Sequence, residues 1–315
     1  MFRLSLSMNL SPPSYSDQEI LATRPSKNHV SDQIPYAFLN ETECSADGTL
    51  TEISTIFLTN RECPFHCLMC DLWKNTTNHT LNPGMIPLQI EHALSQLPPA
   101  KQVKLYNSGN FFDPKAIPQE DLSQIASLTQ HFERIIVENH PLLCNQSCLD
   151  FQQLIPGQLE IALGLETIHK EVLQSLNKRM TLNDFSRAVM FLKSHSIQTR
   201  AFILLKPPFM EEQEGIEWAI RSVEYAFALG VECCSLIPTR SGNGILEQLE
   251  QAGQFSAPQL SSIETTFETC LNLQQGRVFM DLWDLEQHYQ SEINLEQRLE
   301  RLKQMNLSQN IPDTD

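Results

Sequence analysis

From Thr51 onward, β-branched or apolar runs alternate with longer amphipathic stretches, and the alternation repeats six times. The runs are Thr51 to Leu58, Gln102 to Tyr106, Arg134 to Glu138, Leu159 to Leu165, Gln198 to Leu205 and Val231 to Ile237. Helical patterns lie between and after them, over Pro87 to Leu97, Asp121 to Leu128, Gln146 to Leu154, Ile168 to Leu176, Glu211 to Leu229 and Pro258 to Gln274. A further helix, opened by the capping box Thr181-Leu182-Asn183-Asp184, runs to Ser194. Strands alternating with helices imply βαβ units and a parallel sheet. Right-handed crossovers wind such a sheet one way. Six units are too few for a closed eightfold barrel. The expectation is an α/β fold, either a partial (β/α)6 TIM-like barrel or a doubly wound open sheet. In both, ligands gather at the C-terminal ends of the strands.

Two extensions flank this core. Residues 1–34 are rich in Ser, Pro and Asn and read as a poorly ordered lead-in. Pro35 to Leu39 then begins a strand, and Asp47-Gly48 is a turn signal, so an N-terminal hairpin leads into the first core strand. After the core, Val278 to Leu282 reads as a last short strand and Leu295 to Met305 as a C-terminal helix. The expected division is 1–34 lead-in, 35–285 core domain and 286–315 C-terminal helix and tail.

The chain carries 22 basic and 38 acidic residues, a net charge of −16. That balance argues against broad, sequence-independent binding to nucleic acid, which depends on Lys and Arg neutralising phosphates. No apolar run approaches the ~20 residues that span a membrane. Met1 to Leu10 has Arg3 as its only basic residue and no small-residue cleavage site, so a signal peptide is not expected and a cytoplasmic location is. Nine cysteines, an odd count, suit ligands, catalytic thiols or buried fillers better than a disulfide framework.

Three of those cysteines sit directly after the first core strand, in Cys63-Pro64-Phe65-His66-Cys67-Leu68-Met69-Cys70. Thiolates select zinc, copper(I) or iron–sulfur clusters. Structural zinc takes four ligands, often in two pairs, and no matching CxxC occurs elsewhere. His66 or His79 could complete a zinc knuckle on a non-catalytic interaction protein, and three buried cysteines at chance spacing are the third reading. A cubane cluster in an electron-transfer protein takes four cysteines. Three leave one iron open, which is a catalytic arrangement.

CxxxCxxC after the first strand of this pattern resembles the radical S-adenosylmethionine (SAM) superfamily, over roughly residues 51–240. The resemblance implies that Cys63, Cys67 and Cys70 bind a [4Fe-4S] cluster whose unique iron chelates SAM. It also implies reductive cleavage of SAM to a 5′-deoxyadenosyl radical that abstracts hydrogen from a substrate. A reducing partner such as flavodoxin or ferredoxin is implied too. The substrate, a small molecule, protein or tRNA, is left open. Met69 stands where the family often has an aromatic residue.

Strand ends supply the remaining candidates. Tyr106-Asn107-Ser108-Gly109-Asn110 occupies the place of the family's Gly-Gly-Glu-like segment without its acid, and Asn107, Ser108 and Gly109 are the expected SAM contacts. Glu138 and Glu166 end the next two strands; Gly164-Leu165-Glu166-Thr167 is similar to a segment of the branch holding the elongator catalytic subunit and tRNA methylthiotransferases. Lys206, or Arg200 within its strand, is placed to pair the SAM carboxylate, with Arg240 a further candidate. Cys144, Cys148, Cys233 and Cys234 would have to converge to hold a second cluster.

Overall fold

One sheet of eight strands follows the order of the chain, β1 to β8. The computed structural model describes residues 12–312, so residues 1–11 of the expected lead-in and 313–315 of the tail lie outside the described residues. Strands β1 (Ala37–Cys44) and β2 (Leu50–Phe57) form the expected antiparallel hairpin, Ala37 facing Phe57 and Cys44 facing Leu50. Its turn closes where the Asp47 side chain accepts the Thr49 N–H at 3.0 Å and Gly48 takes φ 81°, a conformation that disfavours any side chain. Six more strands run parallel to β2: β3 (Gln102–Tyr106), β4 (Arg134–Asn139), β5 (Gln158–Glu166), β6 (Gln198–Leu205), β7 (Cys233–Pro238) and β8 (Arg277–Met280). The strand order never reverses, so there is no topological switch point. The fold is the partial barrel rather than the doubly wound sheet, with β8 as a seventh parallel strand.

Helix α1 (Asp17–Thr23) lies inside the stretch read as a poorly ordered lead-in. Ser16 and Glu19 cap its first turn reciprocally, and Ile20 is buried against Leu68, Leu176 and Leu246. Local capping and one apolar anchor order a segment too short to show periodicity. The outer layer is α2 (Met85–Leu94), α3 (Leu122–Leu128), α4 (Gln146–Leu154), α5 (Lys170–Ser175), α6 (Leu182–Ser194) and α7 (Glu212–Leu229). After β7 come α8 (Ile245–Gln251), which the sequence pattern did not signal, and α9 (Leu260–Asn272). The chain closes with α10 (Leu285–His288) and α11 (Leu295–Ser308).

Alternation along the strands sends Ile56, Leu105, Val137, Ile161, Ile203 and Leu236 outward, where they are buried against Ile86, Ile90, Phe151, Val189, Val223 and Phe267 of the helices. The inward residues are of another kind. At the N-terminal ends of the strands Arg200 donates to both carboxylate oxygens of Glu43 (2.8 and 3.1 Å) and to Glu160 (2.8 Å). Lys104 pairs with Glu41 and Glu43, and Arg134 with Glu160. Glu43 belongs to the hairpin, so β1 reaches across the barrel and seals its base with charge.

The free edge of β8 is covered by α11. Asn306 Nδ2 donates to the Met280 carbonyl (2.9 Å) and its Oδ1 accepts the Met280 N–H (2.8 Å). Gln309 repeats the pattern at Val278, at 2.9 and 2.8 Å. Two side-chain amides thus satisfy the backbone groups that a ninth strand would have met.

Candidate active site

The cysteine loop leaves β2 and crosses the mouth of the barrel, fastened from several sides. The Leu68 N–H donates to the Leu176 carbonyl (2.9 Å), and Asn177 Nδ2 to the His66 carbonyl (2.9 Å). Asn243 Nδ2 reaches the Leu68 carbonyl (2.7 Å), and Trp73 Nε1 the Cys70 carbonyl (3.0 Å). Phe65 stacks on the His140 ring with centroids 3.9 Å apart. His140 is held neutral, burial pushing it down to about 3. Its Nε2 faces the Lys178 carbonyl at 3.0 Å and so carries the proton, while Nδ1 accepts the Leu142 N–H. On the outside, Asp17 of α1 meets His66 at 2.9 Å, and Arg24 pairs with Glu62 (2.6 Å) and lies over Trp73. The segment around α1 is therefore the outer clamp of the loop.

Burial dominates the chemistry of the three thiols. It raises Cys63, pushes Cys67 up to about 12, and lifts Cys70 well above the usual thiol range. Charge on Cys67 and Cys63 lifts Cys70 further, so the three sulfurs share one environment. As bare thiolates they would be costly; a cationic centre among them removes that cost. Asn110 Nδ2 donates to Cys63 Sγ at 3.1 Å, the kind of contact that steadies a sulfur ligand. Beside them stands Lys178, buried and paired with Glu166. Burial alone would lower its ammonium, but Glu166, Cys67 and Cys63 outweigh burial and hold it raised. Glycine at 164 leaves room for this pair as it is placed; a Cβ there would overlap the Lys178 ammonium and the Glu166 carboxylate, which would have to shift. Among the described residues no three His, Cys, Asp or Glu side chains converge as ligands of a single ion would. Three soft sulfur donors on one loop suit a thiolate-held centre.

Strand ends form the wall facing the loop. Glu138 Oε1 accepts the N–H groups of Asn107 (2.7 Å) and Gly109 (3.3 Å). Burial outweighs those bonds and raises its carboxyl to about 7. The Asn107 side chain is fully buried with neither amide atom bonded, in the turn whose Asn110 reaches Cys63. Tyr36 of the N-terminal segment hydrogen-bonds Ser108 at 3.0 Å. Ser108, Glu166 and Lys206, at the ends of β3, β5 and β6, have φ of 52°, 64° and 52°. Left-handed backbone at non-glycine residues is strain of the sort that collects at functional sites.

Other expectations land elsewhere. The Lys206 ammonium is taken by Glu212 (2.8 Å) and Ser256 (2.6 Å), away from the sulfurs. Arg200 is committed to the base, a layer below the mouth, because strand parity gives the face and not the depth. Arg240 is at the rim, paired with Asp281 at 2.7 Å. Cys144 sits beside Cys148 in the β4–α4 region. Cys233 faces inward with Cys44 and Phe279, while Cys234 faces the helices. These four do not come together. Lys178, Tyr36 and Asn243 had no strand-end position to mark them; the basic pair Lys178-Arg179 between two helices was the available signal.

No protein-family model matches the chain. Over 245 residues it is 24% identical to an uncharacterized protein of Methanocaldococcus jannaschii, covering 73% of this chain and 67% of that protein. Over 235 residues it is 26% identical to archaeosine synthase subunit beta of Methanosarcina acetivorans, covering 69% and 66%. The chain thus spans about two thirds of the length of these relatives. Methylornithine synthase matches with a TM-score of 0.50 at 15% identity, over 82% of this chain and 83% of that one. A radical SAM methyltransferase from Sphaerobacter thermophilus matches with a TM-score of 0.52 at 14% identity, over 79% and 76%. The chain shares its fold with these two enzymes. In that fold the loop bearing Cys63, Cys67 and Cys70 lies at the C-terminal end of the first parallel strand, at the barrel mouth. No helix among the described residues is long and apolar enough to cross a membrane.

Proposed function

We propose that this chain is a radical SAM enzyme of RNA modification. Cys63, Cys67 and Cys70 would hold a [4Fe-4S] cluster, and residues at the ends of β3 to β5 would hold SAM. The carrying observation is three thiols on one loop, Cys67 buried and Cys63 and Cys70 half-buried, with the Lys178 charge and the Asn110 donor beside them. When bound, the cluster and SAM supply a carbon-centred radical for hydrogen abstraction. The chain's own work is positioning. Asn110 steadies Cys63, Lys178 offsets thiolate charge, and Glu138 fixes the 107–110 turn that packs against Cys63. Asn107, Ser108, Gly109, Glu138 and Glu166 form the SAM wall; Lys206 enters only if it leaves Glu212.

The RNA reading is supported by likeness to a protein named archaeosine synthase subunit beta. A net charge of −16 leaves few cations for phosphates. A second subunit carrying the basic surface would reconcile the two. A flavodoxin- or ferredoxin-like donor would supply the electron.

The test is anaerobic reconstitution. The expected product is a brown protein with about four irons per chain that cleaves SAM under dithionite, with Cys67→Ala losing both properties. A colourless protein with one zinc and intact SAM would overturn the proposal.

A further inference from the structure

Between the ionic base and the cysteine loop lies a layer of aromatic rings. Tyr36 meets Phe57 at 5.7 Å between centroids, Phe57 meets Tyr106 at 6.2 Å, and Tyr106 meets Phe202 at 6.1 Å. Tyr106 is on β3 and Phe202 on β6, which are not neighbours in the sheet, so their contact is made across the lumen. All four rings are only half-buried, whereas the outward residues beside them, Ile56, Leu105 and Ile203, are fully buried. Rings used as core filler would have been sealed in the same way. Each of these keeps part of its surface accessible, and Ser235 of β7 is the register partner of Phe202 across the strand pair.

Charge narrows the guest. The cations beneath the rings, Lys104 and Arg200, are already committed to Glu41, Glu43 and Glu160, and Lys178 at the chamber's upper wall to Glu166. None is left to take a phosphate. A guest here gains from ring contact and from desolvation, not from ion pairing.

We propose that Tyr36, Phe57, Tyr106 and Phe202 form a seat for the flat, uncharged ring of a nucleobase. The sugar-phosphate stays at the rim. The inference rests on the RNA-modification reading and names the part of the substrate that enters. Because the seat lies below the cysteine loop, a paired base cannot reach it. The target nucleotide must be swung out of its helix or already be single-stranded.

Calorimetric titration of the reconstituted protein with SAM present tests this, using guanosine, adenosine, uridine and ribose 5-phosphate as probes. At least one nucleoside binds and ribose 5-phosphate does not. Phe202→Ala weakens that nucleoside by about tenfold or more, the scale of one lost ring–base contact, and leaves SAM affinity within about twofold. Phe202→Leu, which keeps apolar volume without a ring, weakens it similarly and guards against a folding defect. The proposal fails if no nucleoside binds to protein that carries its iron and cleaves SAM. It also fails if Phe202→Ala acts on SAM affinity, because the rings then hold the cofactor. Loss of iron and SAM cleavage with nucleoside binding intact would instead strike the cluster reading and leave the seat standing.

Discussion

Replacing Glu43 by alanine removes the carboxylate on which two buried cations converge. The side chains of Arg200, Lys104 and Glu43 are 3%, 5% and 12% exposed, so water cannot take over the lost partner. Breaking a buried ion pair from one side costs about 3–5 kcal/mol, because the surviving charge stays desolvated. Arg200 keeps Glu160 and Lys104 keeps Glu41, which places the expected loss near 3 kcal/mol, or about 6 °C at ~2 °C per kcal/mol for a large chain. Burial raises the Glu43 carboxyl, but Arg200 and Lys104 outweigh it and hold the group well below the usual range. A depressed carboxyl stabilises fully above its unfolded value of about 4.3 and loses that contribution as pH falls toward its folded value. The gap between wild type and Glu43→Ala is therefore widest at neutral pH and narrows in acid. Urea unfolding at pH 7 and pH 4 reads both. The pair Lys303 and Glu300, 62% and 56% exposed, is the control and changes stability by about 0–0.5 kcal/mol. A Glu43→Ala loss under about 1 kcal/mol at pH 7 would refute the reasoning, since the base would then be wet.

Glu138→Gln removes a carboxyl raised to about 7, whose stabilising effect belongs to its protonated form and fades as pH climbs. The variant gains about 1–3 kcal/mol at pH 8 and nothing at pH 4, read by the same unfolding; the reverse order counts against it. Lys178→Met takes away the positive charge nearest Cys67, so the reconstituted cluster becomes harder to reduce. A redox titration followed by electron paramagnetic resonance measures this, and an unchanged or raised potential contradicts it. Asp17→Ala cuts the links from α1 to His66, Asn177 and Arg179. Trypsin then cleaves faster after Lys27, which the same segment holds against Glu62, and an unchanged rate means the clamp does not depend on Asp17.

Much of this was legible because strand and helix periods differ so plainly here. The runs at Gln102 to Tyr106 and Gln198 to Leu205 are the strands observed, to the residue. Thr181 and Asp184 form the expected capping box. Helix α1 was missed although Ser16-Asp17-Gln18-Glu19 carries the same signature, because no apolar repeat follows it. The loop sulfurs could be located from spacing after a strand. Lys178 could not, since a chain fold, not a local pattern, carries the connector between α5 and α6 under the loop. Arg200 and Lys206 show the complementary failure. Their positions on β6 were read correctly, but the acids that claim them come from β1, β5 and α7.

The amides of Asn306 and Gln309 bear on how any companion protein could attach. By standing in for a neighbouring strand along β8, they leave that edge with no template for backbone pairing. A partner cannot extend the sheet there by adding a strand of its own. It must either dislodge α11, giving up the burial of Leu302 and Met305, or dock through side chains on another face. An association of the second kind is built from shape and charge alone, and it can be re-specified by surface substitutions that never touch the barrel.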